Sequence, residues 1–375
     1  YEDVVKAKTG LRIDPYFSAS KIRFIFDQNP DVYEKAKKGK VLFGTMDSWI
    51  VWKLSGSLTH ITDVSNASRT LLFNIHTLSW DEELLEMFDI PRQILPEVKP
   101  TSYAYCKTAS YHFFGQEVPI CSVVGDQQAA LFGQGCFSAG GIKNTYGTGG
   151  FMLMNTGDKI VESKNGLLST VAWQIGNQVN YALEGSIFVS GSLMKWLRDQ
   201  LQLFENTKDT QGMAESVENT NGVYIVPAFV GLGAPYWDDA CQATMVGLTF
   251  GANKNHIVRA ALESMAYQSK DVLEAMKQDS QIEISSMKVD GGAAANNFLL
   301  QFQSDLLQMP VQRFKTNELT ALGAAYLAGL SCGYWTQDEL GVDLQKEFVP
   351  EKSEEEMDSL YSNWKKAVKT CQSYK

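Results

Sequence analysis

The 375-residue chain is 44% hydrophobic and 20% charged, an ordinary globular balance in more chain than one core holds, so two domains are expected. A formal net charge of −10 argues against the basic stripe of a nucleic-acid binder but leaves phosphate ligands open, because backbone N–H groups and Mg²⁺ can handle them. Six scattered cysteines without a Cys-x-x-Cys pair read as small core residues of a reducing compartment, four dispersed histidines make neither a metal cluster nor a Ser-His-Asp triad, and no apolar run is long enough to span a membrane.

Residues 1–135 read as one unit. Residues 21–28 are a short amphipathic element and 30–40 a charged surface stretch. Asp47 is placed to cap a helix over 48–54, which Gly56 ends. A second short helix is expected over 80–88, before Pro91, and Pro96 and Pro100 bracket the connection to a buried strand at about 118–124. From Cys136 the texture turns to glycine-rich β-structure, with 143–155 and 166–182 as paired strands, a helix over 187–202 and a strand at 222–226 halted by Pro227. Asn255 is placed to cap the most regular helix, whose Val258, Ala261, Leu262, Met265, Val272 and Met276 recur at helical spacing. A strand at 286–290, a helix from about 296 to 307, a small-residue helix at 319–329 and a last helix opened by a Ser353/Glu356 capping box complete the pattern.

Four stretches carry candidate chemistry. The first is 123–151, VVGDQQAALFGQGCFSAGGIKNTYGTGGF. Gly125 lets the chain turn, so Asp126 stands at the carboxyl end of a strand and the mouth of a helix, where open α/β sheets bind ligands. The run from Thr145 to Gly150 offers hydroxyls and backbone N–H groups that can wrap phosphate oxygens. One carboxylate base and one phosphate loop are the minimum for moving a phosphoryl group onto an alcohol. Taken singly, each has a plain alternative, a helix cap at Asp126 and a hairpin turn at the glycines. The loop is not a Walker A motif, since no Gly-Lys-Ser/Thr follows it.

The second stretch is 289–297, where a strand, a glycine turn and a helix start bring Gly292 backbone toward a base or ribose and offer Asn296 as a polar contact. Its alternative is a tight turn with Asn296 capping the helix. The third runs from Glu184 through Gly191 to Lys195, either an approach to a ligand or plain helix packing with Lys195 solvated. In the fourth, Tyr16 beside Pro15 either offers its hydroxyl to a polar substrate or is structural. Strand-ending turns that recur in both halves point to an α/β chain with a two-lobed actin-like ATPase (ribonuclease H-like) fold and the active site in the interdomain cleft. Residues 1–135 would form the substrate-side lobe with the catalytic Asp, and residues 136–375 the nucleotide lobe.

Together these residues resemble the FGGY carbohydrate kinases, and among them those that act on glycerol. The blocks that carry the resemblance are NASRTLLFNIH at 66–76, GDQQAALFG at 125–133, NTYGTG at 144–149, NTNGVY at 219–224, the loop 231–238, and Asp290-Gly291-Gly292 with Asn296. The resemblance implies a transferase using ATP and Mg²⁺ to phosphorylate glycerol to sn-glycerol 3-phosphate. It implies Asp126 as general base, Tyr16, Asp126 and Gln127 at the glycerol hydroxyls, Phe151 against its carbons, and Thr148, Gly191, Lys195, Gly292 and Asn296 around ATP, with no residue assigned to a metal. Lys195 stands where relatives often carry Gln, and Phe24 where the family's first signature usually has Trp. The expected setting is the cytoplasm, with glycerol and ATP as partners, a homo-oligomeric state, no nucleic acid and no membrane insertion. Proteins of the family begin with a strand and an Asp-x-Gly-Thr-Thr phosphate loop, followed by an Arg-Glu pair and a Trp at the substrate. None of these precedes Tyr16 here, so the expectation is a chain lacking that N-terminal segment, with little or no kinase activity as it stands. The rival readings are another FGGY sugar or polyol kinase and a non-catalytic ATP-binding protein of actin-like fold.

Overall fold

The computed structural model describes residues 1–316 and 318–374. Four helices open the chain: α1 (Glu2–Thr9), α2 (Ser18–Gln28), α3 (Pro30–Lys37) and α4 (Met46–Leu54). Pro30 takes the first position of α3, where a helix needs no N–H, so the charged stretch after it is helical. Asp47 does not cap α4. Thr45 precedes that helix, and the Asp47 carboxylate accepts the hydroxyls of Thr45 at 2.5 Å and of Thr62 at 2.7 Å. Thr62 lies on β1 (Ile61–Asp63), so a tertiary partner holds the group that local sequence would have spent on a cap. Asp63 does cap, its side chain taking the N–H groups of Ser65 and Asn66 at the start of α5 (Val64–Ala67). Trp80 belongs to a small hairpin of β2 (Phe73–Asn74) and β3 (Ser79–Trp80), and α6 (Glu82–Met87) begins only after it, capped by Asp81. The segment closes with β4 (Glu97–Lys99), parallel to β1, then β5 (Ser102–Lys107), β6 (Pro119–Ser122) and α7 (Asp126–Gly133).

The remainder runs β7 (Ile142–Tyr146), β8 (Gly150–Gly157), β9 (Leu168–Ile175), β10 (Gln178–Ile187), α8 (Gly191–Asp199), α9 (Asp209–Glu215), β11 (Tyr224–Val226), β12 (Thr244–Val246), α10 (Lys254–Ser280), β13 (Met287–Gly291), α11 (Asn297–Leu307), β14 (Val311–Phe314), α12 (Leu319–Cys332), β15 (Leu344–Phe348) and α13 (Glu354–Ser373). One nine-stranded mixed sheet organises it, in the order β15-β14-β13-β7-β8-β10-β9-β5-β6. Strand β13 is parallel to both β14 and β7, whereas the run β7, β8, β10 and β9 is antiparallel from each strand to the next. Strands β5 and β6 join the far edge, β5 pairing with β9 through Ser102 and Ile175.

Helix α10 starts from Asn253, not Asn255. Asn253 Oδ1 accepts the N–H of Asn255 at 2.9 Å and of His256 at 3.4 Å, while His256 Nδ1 takes the Asn253 N–H at 3.1 Å. The apolar stripe expected on this helix is buried as expected, from Val258 to Met276, in a core shared with β7, β8, α8 and α11. A second core gathers Val5, Phe26, Leu72 and Phe73 with Leu168, Val171 and Tyr181 of β9 and β10, so the early helices rest on the sheet. Helices α7 and α12 meet backbone to backbone. A Cβ on Gly133 would come within 1.9 Å of the Leu319 carbonyl oxygen, and one on Gly323 within 1.9 Å of the Ala129 carbonyl oxygen.

The cysteines are all free. The ring nitrogens of His60, His76 and His112 bond the carbonyls of Phe43, Ala7 and Lys53, and His256 completes the α10 cap, so the four histidines have structural partners. Among the described residues no helix is long and apolar enough to cross a membrane, and no three His, Cys, Asp or Glu gather as a metal cluster.

Candidate active site

Sheet register puts two rows of residues on one face. Asp290, Thr145, Phe151 and Ser186 face one another across β13, β7, β8 and β10, and Lys288, Lys143, Leu153 and Glu184 form the next row. Directly paired residues share a face, so Lys143, Glu184 and Asp290 lie on the same side as Phe151. Helix α7 begins over this face. Asp126 is its first residue, exposed, with its Oδ1 accepting the Gln127 N–H at 2.8 Å. Lys143 is fully buried, and its ammonium donates to Gln127 Oε1 at 2.5 Å, Thr145 Oγ1 at 2.9 Å and the Phe151 carbonyl at 3.3 Å.

A cavity of about 490 Å³ lies beside this row, lined by Tyr16, Thr148, Phe151, Phe188 and Trp237 among others. Tyr16 is 57% exposed as a residue, yet burial of its hydroxyl end pushes that group's pKa up, the charge of Glu184 adding to it and that of Arg69 opposing. Tyr16 and Phe151 line this cavity and Asp126 and Gln127 do not; Gln127 is joined to Phe151 through Lys143, and the charge of Asp126 adds to the rise at the Tyr16 hydroxyl. Arg69 and Glu184 form an ion pair beneath it, with Nη2 to Oε1 at 2.7 Å.

The phosphate-loop candidate is a hairpin, as its plain alternative holds: Tyr146 pairs with Gly150, and the Gly147 N–H reaches the Gly149 carbonyl at 2.8 Å. That turn is fastened to the start of α8. The Thr148 carbonyl accepts the N–H groups of Ser190 at 3.0 Å and Ser192 at 3.1 Å, and Gly191 N–H donates to the Gly147 carbonyl at 3.0 Å. The Gly191 backbone comes so close that a Cβ there would lie 2.6 Å from the same Gly147 oxygen. Lys195 is four residues on, exposed on the same side of α8 as Gly191.

A second cavity, about 460 Å³, opens at the end of β13 and is lined by Asp290, Gly291, Gly292 and Arg313 among others. Gly291 has φ 88 and pairs with Tyr146, whereas a Cβ on Gly292 would meet nothing within 4 Å. Asn296 caps α11, accepting the Leu299 N–H at 3.1 Å, and its amide also reaches Thr210 Oγ1 at 3.3 Å. Thr148 therefore lines the first cavity and Gly292 the second, while Gly191, Lys195 and Asn296 line neither. Both cavities open near the carboxyl ends of the parallel strands β7 and β13, the end of an α/β sheet where ligands sit.

The residues the sequence did not single out are Lys143 and the partner role of Arg69. Burial pushes the Lys143 pKa down to about 8, with Asp290, Glu184 and Asp126 opposing. Burial raises the Asp290 carboxyl, and Lys143 pulls it back. One oxygen of Asp290, Oδ1, and one of Glu184, Oε2, are buried without a hydrogen-bond partner.

Residues 1–133 match the N-terminal domain of the FGGY family of carbohydrate kinases, and residues 142–332 match its C-terminal domain. The chain is 57% identical to a glycerol kinase of Geobacillus kaustophilus and 56% identical to one of Bacillus velezensis, in each case over 100% of this chain and 76% of the relative. Among solved structures, the glycerol kinase of Plasmodium falciparum with ADP superposes with a TM-score of 0.92 at 36% identity, covering 99% of this chain and 75% of that one. The fold is accordingly the α/β actin-like ATPase fold of these kinases, and the chain belongs to the FGGY family of carbohydrate kinases.

Proposed function

We propose that the protein transfers the γ-phosphoryl group of ATP to glycerol, giving sn-glycerol 3-phosphate and ADP. The observation that carries this reading is the 56–57% identity, over the whole chain, to proteins named glycerol kinase. In the reaction Asp126 takes the proton of the attacking hydroxyl, that oxygen bonds to the γ-phosphorus, and the bond from phosphorus to the ADP oxygen breaks. Tyr16, Asp126 and Gln127 hold the glycerol hydroxyls, and Phe151 packs against its carbons. Thr148, Gly191, Lys195, Gly292 and Asn296 hold the nucleotide. Support comes from Tyr16 and Phe151 lining one cavity, from Lys143 joining Gln127 to Phe151 and from the open space beside Gly292.

The donor set also suits Mg²⁺ of the kind that travels with phosphates, which needs one or two carboxylates from the protein and fills its remaining positions with water and substrate oxygens. Asp126, exposed at the start of α7, and Asp290, which lines the second cavity, are the carboxylates that would hold it, directly or through water. When bound, the ion would neutralise charge developing on the phosphoryl oxygens. The same reading takes residues 1–135 as the substrate-side lobe and 136–375 as the nucleotide lobe of a cytoplasmic homo-oligomer.

The test is glycerol-dependent ADP formation, compared with xylulose and ribulose. Asp126→Asn should lower kcat by about 10²- to 10⁴-fold with the melting temperature unchanged. Faster turnover of a pentulose than of glycerol would move the substrate within the family. Nucleotide binding indifferent to any polyol and to Asp126→Asn would overturn the kinase reading.

A further inference from the structure

We propose that Lys143 is a positioning residue for phosphoryl transfer, locking the Gln127 amide so that its NH₂ group faces the substrate and its oxygen faces away. The inference rests on the glycerol-kinase reading above. An ammonium group has three donors and no acceptor, and an amide has distinct donor and acceptor ends. Lys143 Nζ sits 2.5 Å from one end of the Gln127 amide, so that end is Oε1 and the other is a donor. Gln127 Nε2 indeed points to Asp126 Oδ2, at 3.4 Å.

The direction of hydrogen bonding at the reacting hydroxyl follows. With Gln127 donating, the hydroxyl oxygen accepts from Nε2 and is left to give its own proton to the Asp126 carboxylate. A flipped amide would present an acceptor beside the carboxylate, and the hydroxyl would have two competing destinations for one proton. Lys143 prevents the flip at no cost in motion, because its other protons are held by Thr145 Oγ1 and the Phe151 carbonyl. The Phe151 contact ties the same ammonium to the residue that packs against the substrate carbons.

The lock depends on charge. The charged and titratable groups around Lys143 are Asp290 and the directly paired Lys288 from β13, Glu184 from β10, Asp126 from α7 and Cys136 after α7, the carboxylates favouring the ammonium and burial opposing it. With a pKa of about 8, Lys143 is charged at neutral pH and loses its proton on the alkaline side. A neutral amine can accept as well as donate, and the amide is then free to turn.

The experiment is kcat/KM for glycerol from pH 6 to 10 in the wild type, Lys143→Met and Gln127→Glu. The wild type should lose kcat/KM for glycerol above about pH 8 while KM for ATP stays level. Lys143→Met should lie about 10²-fold lower at neutral pH, the scale of a misplaced reacting group, and should lack that alkaline limb. Gln127→Glu keeps an acceptor for Lys143 but has no outward donor, so it should fold normally and lose about tenfold or more in kcat/KM for glycerol. Gln127→Glu with wild-type kcat/KM would overturn the proposal even if Lys143→Met fails to fold. So would Lys143→Met that keeps the wild-type limb, or that weakens ATP and glycerol equally. A wild type without glycerol-dependent turnover defeats the function reading instead.

Discussion

Arg69 Nη2 donates to Glu184 Oε1 at 2.7 Å, joining the turn after α5 to the middle of β10 with the two side chains 19% and 1% exposed. Removing one member of such a pair leaves a buried charge uncompensated, at a cost of about 3–5 kcal/mol, whereas removing both is far milder. Arg69→Met should therefore lower the unfolding free energy in urea by about that amount, and Arg69→Met/Glu184→Gln should recover most of it. A double variant no more stable than the single one would show that the pair is not what holds this junction.

Adjacent glycines at the end of β13 should behave oppositely. Gly291 has φ 88, and a Cβ there would sit 2.3 Å from the Tyr146 carbonyl oxygen, across the ladder to β7. Gly291→Ala is expected to destabilise by about 2–3 kcal/mol through strain and a displaced strand. Gly292→Ala, with nothing within 4 Å of its Cβ, should change stability by less than about 0.5 kcal/mol yet raise Kd for ADP, because the new methyl enters the cavity. Unfolding curves and ADP titrations of both variants decide it. Unaltered ADP binding by Gly292→Ala would take that residue out of the nucleotide site.

The seat of α7 is the next point to probe. Its Gly133 and the Gly323 of α12 each leave no room for a Cβ, the clash being with main-chain oxygen at 1.9 Å in both cases. Backbone cannot rotate away as a flexible side chain can, so Gly323→Ala must push the two helices apart. The expected result is a loss of about 1–3 kcal/mol, together with a fall in kcat, since Asp126 and Gln127 ride on the first turn of the displaced helix. A Gly323→Ala variant with wild-type kcat would mean that α7 is held from the sheet side alone.

Local signals made part of this legible in the sequence. Asp126 was readable because a glycine after an apolar run marks a strand giving way to a helix, and α7 begins at that residue. The glycine turn at 291–292 was readable for the same reason. Lys143 was not, because Ile142, Lys143 and Asn144 are all buried, and a strand covered on both faces loses the alternation that would mark a lysine as facing inward. Asp47 looked like a helix cap because its true partner, Thr62, is 15 residues away. At α10, Asn253 and Asn255 are equally good caps by composition, and the choice of Asn253 rests on His256 closing the box from the other side. The sheet order joins β7 to β13 and β9 to β5, pairings between segments far apart in the chain that periodicity does not address. At Asn296 both readings name the same side chain, and the cap is the one formed within the protein.

Asp271 gives a pH signature. On α10 it accepts the Tyr361 hydroxyl at 2.6 Å and Trp364 Nε1–H at 2.8 Å, both from α13. Burial pushes its pKa from 3.8 up to about 6, and the two hydrogen bonds pull it back only in part. Over that window the folded protein holds the proton more tightly than the unfolded chain, so the unfolded state binds fewer protons and stability falls as pH rises, levelling above about pH 6. Asparagine keeps an acceptor for Trp364 and can donate to the Tyr361 hydroxyl but cannot ionise, so Asp271→Asn lacks this component while every other titrating group cancels in the comparison. The wild type should gain on Asp271→Asn by about 2 kcal/mol as pH is lowered from 7 to 4, measured as the difference in urea unfolding free energy at each pH. A difference constant across that range would mean that Asp271 does not titrate there. One that widens the opposite way would mean that the bonds from α13 outweigh burial and hold the carboxyl below its ordinary value.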